Sequence, residues 1–178
     1  ITPWDLNPEA HTPQRALVLG AGLAGAHAAF ALARRGVAVT VLEAASVAGG
    51  GSSNLQGVAY TRLSHQHNPL TDFSLAGFGF ATDHYETLLR DGALTADKDI
   101  GLGGYVQLHE ADDTLAHLSE VLPLAPAFAQ VISATELAAL TGLTPRCGGI
   151  HYQRGGWLTP QAVCRALLTH PLISLQSD

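Results

Sequence analysis

Three glycines, Gly20, Gly22 and Gly25, have the spacing in this sequence that most directly indicates chemistry. They follow a short apolar run at residues 16–19 and open a segment rich in alanine and leucine. In a strand-to-helix turn, the first glycine allows the tight bend, the second lets a pyrophosphate approach the backbone, and the third lets the helix pack close to the strand. The helix N-terminus then offers free N–H groups to the phosphates. The predicted dinucleotide-binding residues of this turn are Gly20, Gly22, Leu23, Ala24 and Gly25.

An acidic residue stands at the end of the next apolar run, which covers residues 37–42. Glu43 lies 18 positions after Gly25, and Ala44 follows it. A carboxylate at this place can accept hydrogen bonds from both hydroxyls of an adenosine ribose, and it repels a 2′-phosphate. The segment 16–43 is therefore predicted to be a β-α-β unit that binds a dinucleotide other than NADP, with Glu43 and Ala44 at the ribose.

A second group of small and polar residues follows at 49–57. Hydroxyl, amide and glycine positions of this kind can wrap the phosphates and the ribityl chain of a flavin, although an ordinary flexible loop has the same composition. The predicted cofactor-binding residues of this loop are Gly51, Ser52, Ser53, Asn54, Gln56 and Gly57.

A third motif, at residues 148–160, places glycine pairs on both sides of a predicted strand and Trp157 shortly before a helix that begins at Thr159 and Pro160. The glycine pairs indicate that another group lies in close contact with the backbone at this place. A hairpin-like return into a helix explains the pattern equally well.

Neither metal ligation nor nucleophilic catalysis is indicated. His65 and His67 would share one face of a strand, but no carboxylate or cysteine lies near them at ligand spacing, so we predict no metal site. Cys147 and Cys164 form no C-x-x-C pair and are expected to be small buried side chains in a reducing compartment. No serine has a nucleophile-elbow context, and no catalytic residue is assigned.

Composition excludes several classes of protein. Of the 178 residues, 47% are apolar and 13% are charged, which is typical of a globular chain rather than a disordered one. A net charge of −6 with nine Lys and Arg gives no basic stripe for a nucleic acid. No apolar run is long enough for a membrane span and no signal peptide is evident, so we expect a cytoplasmic protein. The chain contains no methionine, which suggests a piece of a longer polypeptide.

Further elements are predicted beyond the β-α-β unit. Helices are expected at residues 71–89 and at 112–122, where Pro123 would end the second of them. A further helix is expected after Ser133, with Glu136 completing a capping box, and another from Thr159 onward. Strands are expected at 103–109, 150–152 and from Ile173.

Taken in order, these motifs resemble the FAD-dependent oxidoreductase half of the bifunctional tRNA-modifying enzymes that make 5-methylaminomethyl-2-thiouridine. The resemblance runs from about residue 13 to about residue 168. It is carried by the glycine turn with Glu43, by residues 51–57 with Tyr60, Leu63 and Ser64, and by residues 141–143, 147–152 and 155–160. The glycine turn is common to many flavoproteins, whereas the other two stretches together are fairly specific.

The resemblance implies an α/β fold of the glycine and D-amino-acid oxidase type, in which a Rossmann-like FAD-binding β-α-β domain is interleaved with an antiparallel α+β substrate domain. It implies FAD as the cofactor and tRNA as the partner. The implied reaction is oxidation of the carboxymethyl methylene of 5-carboxymethylaminomethyl-uridine at the wobble position, followed by hydrolysis to glyoxylate and the aminomethyl base.

Residues 1–14 are polar and contain three prolines, which predicts a linker. The resemblance makes residues 15–78 the first part of the FAD-binding domain. Residues 79–155 would be substrate-domain elements, and residues 156–178 would return to the FAD-binding domain. In the family a methyltransferase domain precedes the linker, and the oxidoreductase part extends well beyond 178 residues. The fold is therefore expected to be incomplete in this chain, and the isolated segment inactive.

Two alternatives stay open at this stage. A relative that oxidises a free amino acid or a secondary amine would use the same FAD site but a small closed pocket. A non-catalytic nucleotide-binding fragment would contain the glycine turn but would catalyse no oxidation.

Overall fold

A computed structural model describes residues 13–61, 63, 68–110, 113–124 and 127–177. The chain divides into two compact units, with the divisions after Leu55 and after Thr159. The first unit contains both ends of the chain, and the second is the continuous segment between the divisions. The functional limits expected at residues 14, 78 and 155 concern which segments bind FAD and which bind substrate, and they stay predictions.

The structure contains nine strands and five α-helices in the described residues. The strands are β1 Arg15–Leu19, β2 Ala38–Glu43, β3 Gly57–Ala59, β4 Ile100–Gly101, β5 Tyr105–Leu108, β6 Ala129–Ile132, β7 Gly149–Tyr152, β8 Gly156–Leu158 and β9 Ile173–Ser177. The helices are α1 Leu23–Ala33, α2 Pro69–Arg90, α3 Asp113–Val121, α4 Ala134–Thr141 and α5 Pro160–Leu168.

The first unit is built on a parallel sheet with strand order β1-β2-β9. Leu17 pairs with Thr40 in the β1–β2 ladder, and Val41 pairs with Leu175 in the β2–β9 ladder. Because α1 connects two neighbouring parallel strands, the predicted β-α-β unit is confirmed. The sheet packs through small and β-branched side chains, which form one buried cluster: Ala21, Ala29, Ala33, Val37, Val39 and Val41.

Two three-stranded sheets make up the strand structure of the second unit, with orders β3-β8-β4 and β5-β7-β6. All of their ladders are antiparallel. The glycine pair before and within β8 is required for this packing. Gly156 has φ +141°, and a Cβ there would lie 2.0 Å from the carbonyl oxygen of Gly101. The close backbone approach predicted from the third motif is therefore an approach of β8 to its neighbouring strand.

One face of the β5-β7-β6 sheet forms the aromatic core of this unit. Tyr152 and Ile150 on the central strand are fully buried. The rings of Tyr105 and Tyr152 stack with their centroids 4.6 Å apart, and Phe78 from α2 meets Tyr105 edge-on. The core thus joins the longest helix of the unit to its central strand.

Some helices begin or end at residues other than those predicted, because the residues at their ends do not belong to the apolar pattern. Helix α2 begins at Pro69 rather than at residue 71, because the Asn68 side chain accepts a hydrogen bond from the Thr71 N–H and proline suits the first turn. Pro123 lies within a 3₁₀ turn, Leu122–Leu124, that continues α3. The capping box of Ser133 and Glu136 is present as predicted, and α4 ends at Gly142 in a left-handed conformation.

Candidate cofactor site

The glycine turn joins β1 to α1 as the spacing predicted. Gly20 has φ +93°, a left-handed conformation that favours glycine, and its N–H donates to the carbonyl of Leu42 on β2. The requirement is strictest at Gly25, where a Cβ would lie 2.0 Å from the carbonyl oxygen of Gly20. Helix α1 therefore starts so close to the end of β1 that a side chain at position 25 would not fit.

The N-terminus of α1 is shaped to admit a phosphate group. Gly22 precedes the helix in an extended conformation and supplies no side-chain cap. A Cβ on Gly22 would meet only Ser52, at 3.0 Å from its hydroxyl oxygen. No side chain of Gly22 therefore stands between the helix N-terminus and a ligand, and the turn fits the pyrophosphate of a dinucleotide.

Glu43 is fastened to the same turn by backbone hydrogen bonds. One carboxylate oxygen accepts from the N–H of Ala21 at 2.7 Å, and the other accepts from the N–H of Ala45 at 3.1 Å. These donors, Ala21 first, lower the pKa of Glu43 and so keep it ionised. Each oxygen can still accept a further hydrogen bond, which is what two ribose hydroxyls would need.

A cavity of about 610 Å³ opens at the carboxyl ends of the three parallel strands. This is where open α/β sheets bind their ligands. Its lining combines three predicted residues, Gly20, Glu43 and Ala44, with residues near the ends of the three strands: Leu19, Leu42, Gln176 and Ser177.

The predicted loop contacts the turn through Ser52. The N–H of Leu23, the first residue of α1, donates to the Ser52 hydroxyl at 3.0 Å. The loop is also held from α5, because the Gln161 side-chain amide donates to the carbonyl of Ser53 at 2.8 Å. Ser52 therefore takes the capping role that Gly22 cannot fill, and the loop is tied at two points rather than free.

The remaining predicted residues are placed differently. Ala24 is exposed on the first turn of α1, and Gly51, Ser53 and Asn54 are exposed in the loop. Gln56 and Gly57 belong to the second compact unit, where Gly57 begins β3. Their part in cofactor binding stays a prediction, as does that of every residue assigned from the sequence.

Sequence reasoning did not identify Gln161, Gln176 and Ser177 as site residues. For the last two a signal existed, because β9 was predicted to begin at Ile173. A third parallel strand in the sheet would bring its carboxyl end to the cavity. Gln161 gave no signal, since its role depends on where α5 packs.

Replacing Ser52 with alanine is expected to lower the free energy of unfolding by about 1 kcal/mol, since the hydroxyl acts as a cap on the N-terminus of α1. Urea unfolding of the cofactor-free protein measures this. Ser53→Ala is the matched control, because Ser53 holds Gln161 through its backbone carbonyl alone. Equal stabilities of the two variants would contradict the capping role.

No group of three His, Cys, Asp or Glu residues comes together at metal-binding distance in the part of the chain that the structure describes. His65 and His67 lie outside the described residues. Cys164 is buried in α5 as predicted, and burial raises the pKa of its thiol. Cys147 is partly exposed, so the prediction that it is buried is wrong. Within the described ranges no helix is both long and apolar enough to cross a membrane.

Comparison with known proteins identifies this arrangement. Residues 15–171 match the family described as FAD dependent oxidoreductase. The chain belongs to that family. Proteins of this family depend on FAD, so the FAD cofactor that the resemblance implied is confirmed at the level of the family.

Among relatives of this FAD-dependent oxidoreductase chain are proteins named tRNA 5-methylaminomethyl-2-thiouridine biosynthesis bifunctional protein MnmC. The protein from Saccharophagus degradans is 38% identical over an aligned length of 178 residues, and the match covers 96% of this chain and 25% of that protein. The protein from Legionella pneumophila strain Corby is 35% identical over an aligned length of 177 residues, and the match covers 98% of this chain and 26% of that protein. The predicted resemblance is confirmed, and the chain spans about a quarter of the length of these relatives.

The fold is also that of a solved oxidase. Glycine oxidase from Geobacillus kaustophilus superposes with a TM-score of 0.68 at 19% identity, over 92% of this chain and 46% of that one. The predicted fold class, an α/β fold of the glycine oxidase type, is therefore confirmed.

Proposed function

We propose that the protein containing this chain removes the carboxymethyl group from 5-carboxymethylaminomethyl-(2-thio)uridine at the wobble position of tRNA. The products would be the aminomethyl base and glyoxylate. The observation that carries the proposal is the Glu43 carboxylate bonded to the Ala21 N–H of a glycine turn, in a chain whose similarity to the named tRNA-modifying relatives runs over nearly its whole length.

The chain's own contribution would be to hold FAD. The turn residues Gly20, Gly22, Leu23, Ala24 and Gly25 would receive the pyrophosphate at the N-terminus of α1. Glu43 and Ala44 would meet the adenosine ribose. The loop would contact the phosphates and the ribityl chain through Gly51, Ser52, Ser53, Asn54, Gln56 and Gly57.

The reaction needs little acid-base chemistry from the protein. When bound, the flavin would supply the oxidising power by accepting a hydride from the methylene carbon next to the amine. The nitrogen lone pair would form the carbon–nitrogen double bond as the hydride leaves, and loss of the N–H proton to solvent would give the neutral imine. Water adds to that carbon, and cleavage of the carbon–nitrogen bond gives glyoxylate and the primary amine. A neutral bound amine makes a strong base unnecessary, so no catalytic side chain is assigned in this chain.

The partners follow from the same proposal. A tRNA substrate is recognised largely through its phosphates, which require basic surface. With a net charge of −6, this segment offers no excess of such surface. We therefore place most tRNA contacts outside this segment, in a cytoplasmic protein that also carries a methyltransferase domain.

Glyoxylate release tests the proposal. The full-length flavin-loaded protein is incubated with tRNA bearing 5-carboxymethylaminomethyl-2-thiouridine, and with glycine and iminodiacetate as matched small amines. We expect glyoxylate and loss of the oxidised-flavin absorbance with the modified tRNA, and neither with the small amines. Flavin reduction by a small amine alone would favour the free-amine oxidase instead. A protein that holds no flavin would favour the non-catalytic fragment.

A further inference from the structure

The second compact unit holds a cavity of about 580 Å³ beside the N-terminus of α2. Its size is within the range of small-ligand sites. The lining residues in the described part carry no charge and offer hydroxyl groups, an amide and leucine side chains: Tyr60, Thr61, Leu63, Asn68, Leu70, Thr71 and Ser74. Such a lining suits an uncharged group that has polar edges and flat apolar faces.

An aromatic ring is available at this cavity. Tyr60 follows β3 directly, and it is 56% exposed although tyrosine normally buries much of its ring. Aromatic side chains exposed in this way are the platforms on which unpaired nucleobases stack. Tyr60 can therefore provide a stacking contact for a planar heterocycle.

The backbone of the cavity wall is held rigidly by two tyrosines from the core. The Tyr105 hydroxyl accepts from the N–H of Thr61 at 2.8 Å and donates to its carbonyl at 2.7 Å. The Tyr152 hydroxyl accepts from the N–H of Leu63 at 3.2 Å. Burial raises the pKa of Tyr105, so its hydroxyl keeps the proton that it donates. The wall is thus fixed before any ligand arrives, which lowers the entropic cost of binding.

One wall residue has an unused polar group. Thr61 is only 4% exposed, and its hydroxyl oxygen has no hydrogen-bond partner among the described residues. Buried hydroxyl groups nearly always have a partner, and an exception calls for an explanation. Because the oxygen has almost no accessible surface, the Thr61 side chain would have to rotate to present it to a carbonyl or N–H group of a bound ligand.

We propose that this cavity is the subsite for the modified uracil base of the substrate, with the base stacked on Tyr60. The inference rests on the proposed function and adds the place where the base is recognised. Uracil is flat and uncharged, and its edge carries both hydrogen-bond acceptors and an N–H donor, which the hydroxyl and amide groups of the lining can meet.

Substitutions at Tyr60 test the subsite in the full-length holoenzyme. The substrate is an anticodon stem-loop carrying 5-carboxymethylaminomethyluridine, and glyoxylate release is measured. Tyr60→Leu is expected to raise KM about 10-fold, with kcat and flavin content unchanged, because a stacking contact is lost. Tyr60→Phe should restore KM to within about 2-fold of the parent value, because the ring is retained. Phe80→Leu is the matched control, since Phe80 is 74% exposed on α2 and does not line the cavity.

A second variant tests the wall. Thr61→Val should raise KM by about 3-fold or more, the loss expected for one hydrogen bond. Its thermal stability should not fall, because the hydroxyl has no partner to lose within the described chain.

A KM for Tyr60→Leu equal to that of the parent, or a rise equal to that of Phe80→Leu, would overturn the subsite. A parent enzyme that releases no glyoxylate would instead reject the proposed function itself.

Discussion

Gly25→Ala is expected to give a protein that purifies without flavin. A Cβ at this position would lie 2.0 Å from the carbonyl oxygen of Gly20 and 3.4 Å from a methyl carbon of Val18. The clash with Gly20 is with backbone, so α1 must move away from β1, and the N–H groups that would meet the pyrophosphate move with it. Overpacking of this kind costs about 1–3 kcal/mol and sometimes more. The flavin-to-protein ratio of the purified full-length protein measures the effect.

A glycine from the neighbouring loop provides the matched control for this substitution. Gly50→Ala places a Cβ in open space, with nothing within 4 Å, and Gly50 does not have a positive φ. It should purify with the flavin content of the parent. Circular dichroism of both variants separates loss of the site from loss of the fold. A folded Gly25→Ala protein with as much flavin as Gly50→Ala would contradict the assignment of the turn.

Glu43→Ala is expected to weaken FAD binding by at least about 10-fold, since two hydrogen bonds to a charged acceptor are lost. The backbone N–H of Ala21 would lose its acceptor as well, which loosens the turn. Titration of the flavin-free protein with FAD gives the dissociation constant. Glu136→Ala is a matched control, because Glu136 is also bonded to a backbone N–H and also has a lowered pKa, but it caps α4. Equal affinities for the two variants would refute the ribose role of Glu43.

The same carboxylate sets a pH dependence. Backbone hydrogen bonds, chiefly from Ala21, lower the pKa of Glu43 below the ordinary value of 4.5. The contribution of the Glu43 carboxylate to FAD affinity is therefore complete above pH 4.5, and it is lost as the pH falls through the lowered pKa. FAD affinity should accordingly be constant through neutral and mildly acidic pH in the parent protein, and it should fall only in stronger acid.

The turn could be predicted from sequence because each of its features is local. Gly20, Gly22 and Gly25 lie within six consecutive residues, the apolar runs on either side define β1 and β2, and Glu43 ends the second run. Parallel pairing of two strands joined by a helix follows from general rules of chain connection. The capping box at Ser133 could be predicted for the same reason, since all of its hydrogen bonds fall within one helical turn.

The features that sequence reasoning missed depend on distant parts of the chain. Strands β3 and β4 contain three and two residues, too few to show a period, and they become strands only by pairing with β8. The hydrogen bonds that Tyr105 makes to Thr61, and Gln161 to Ser53, join positions more than 40 residues apart. No pattern of residue types along the chain encodes which backbone group such a side chain will reach.

The order of the parallel sheet has a consequence for how the protein is made. Strand β9 pairs with β2, yet more than 120 residues separate them along the chain. Closing so long a loop costs entropy and is slow, whereas the segment between the two chain divisions is continuous and can fold from nearer contacts. During synthesis on the ribosome, β1, α1 and β2 emerge before β9 and must wait for it. The glycine turn is therefore translated well before the cavity that it shares with β9 can be completed.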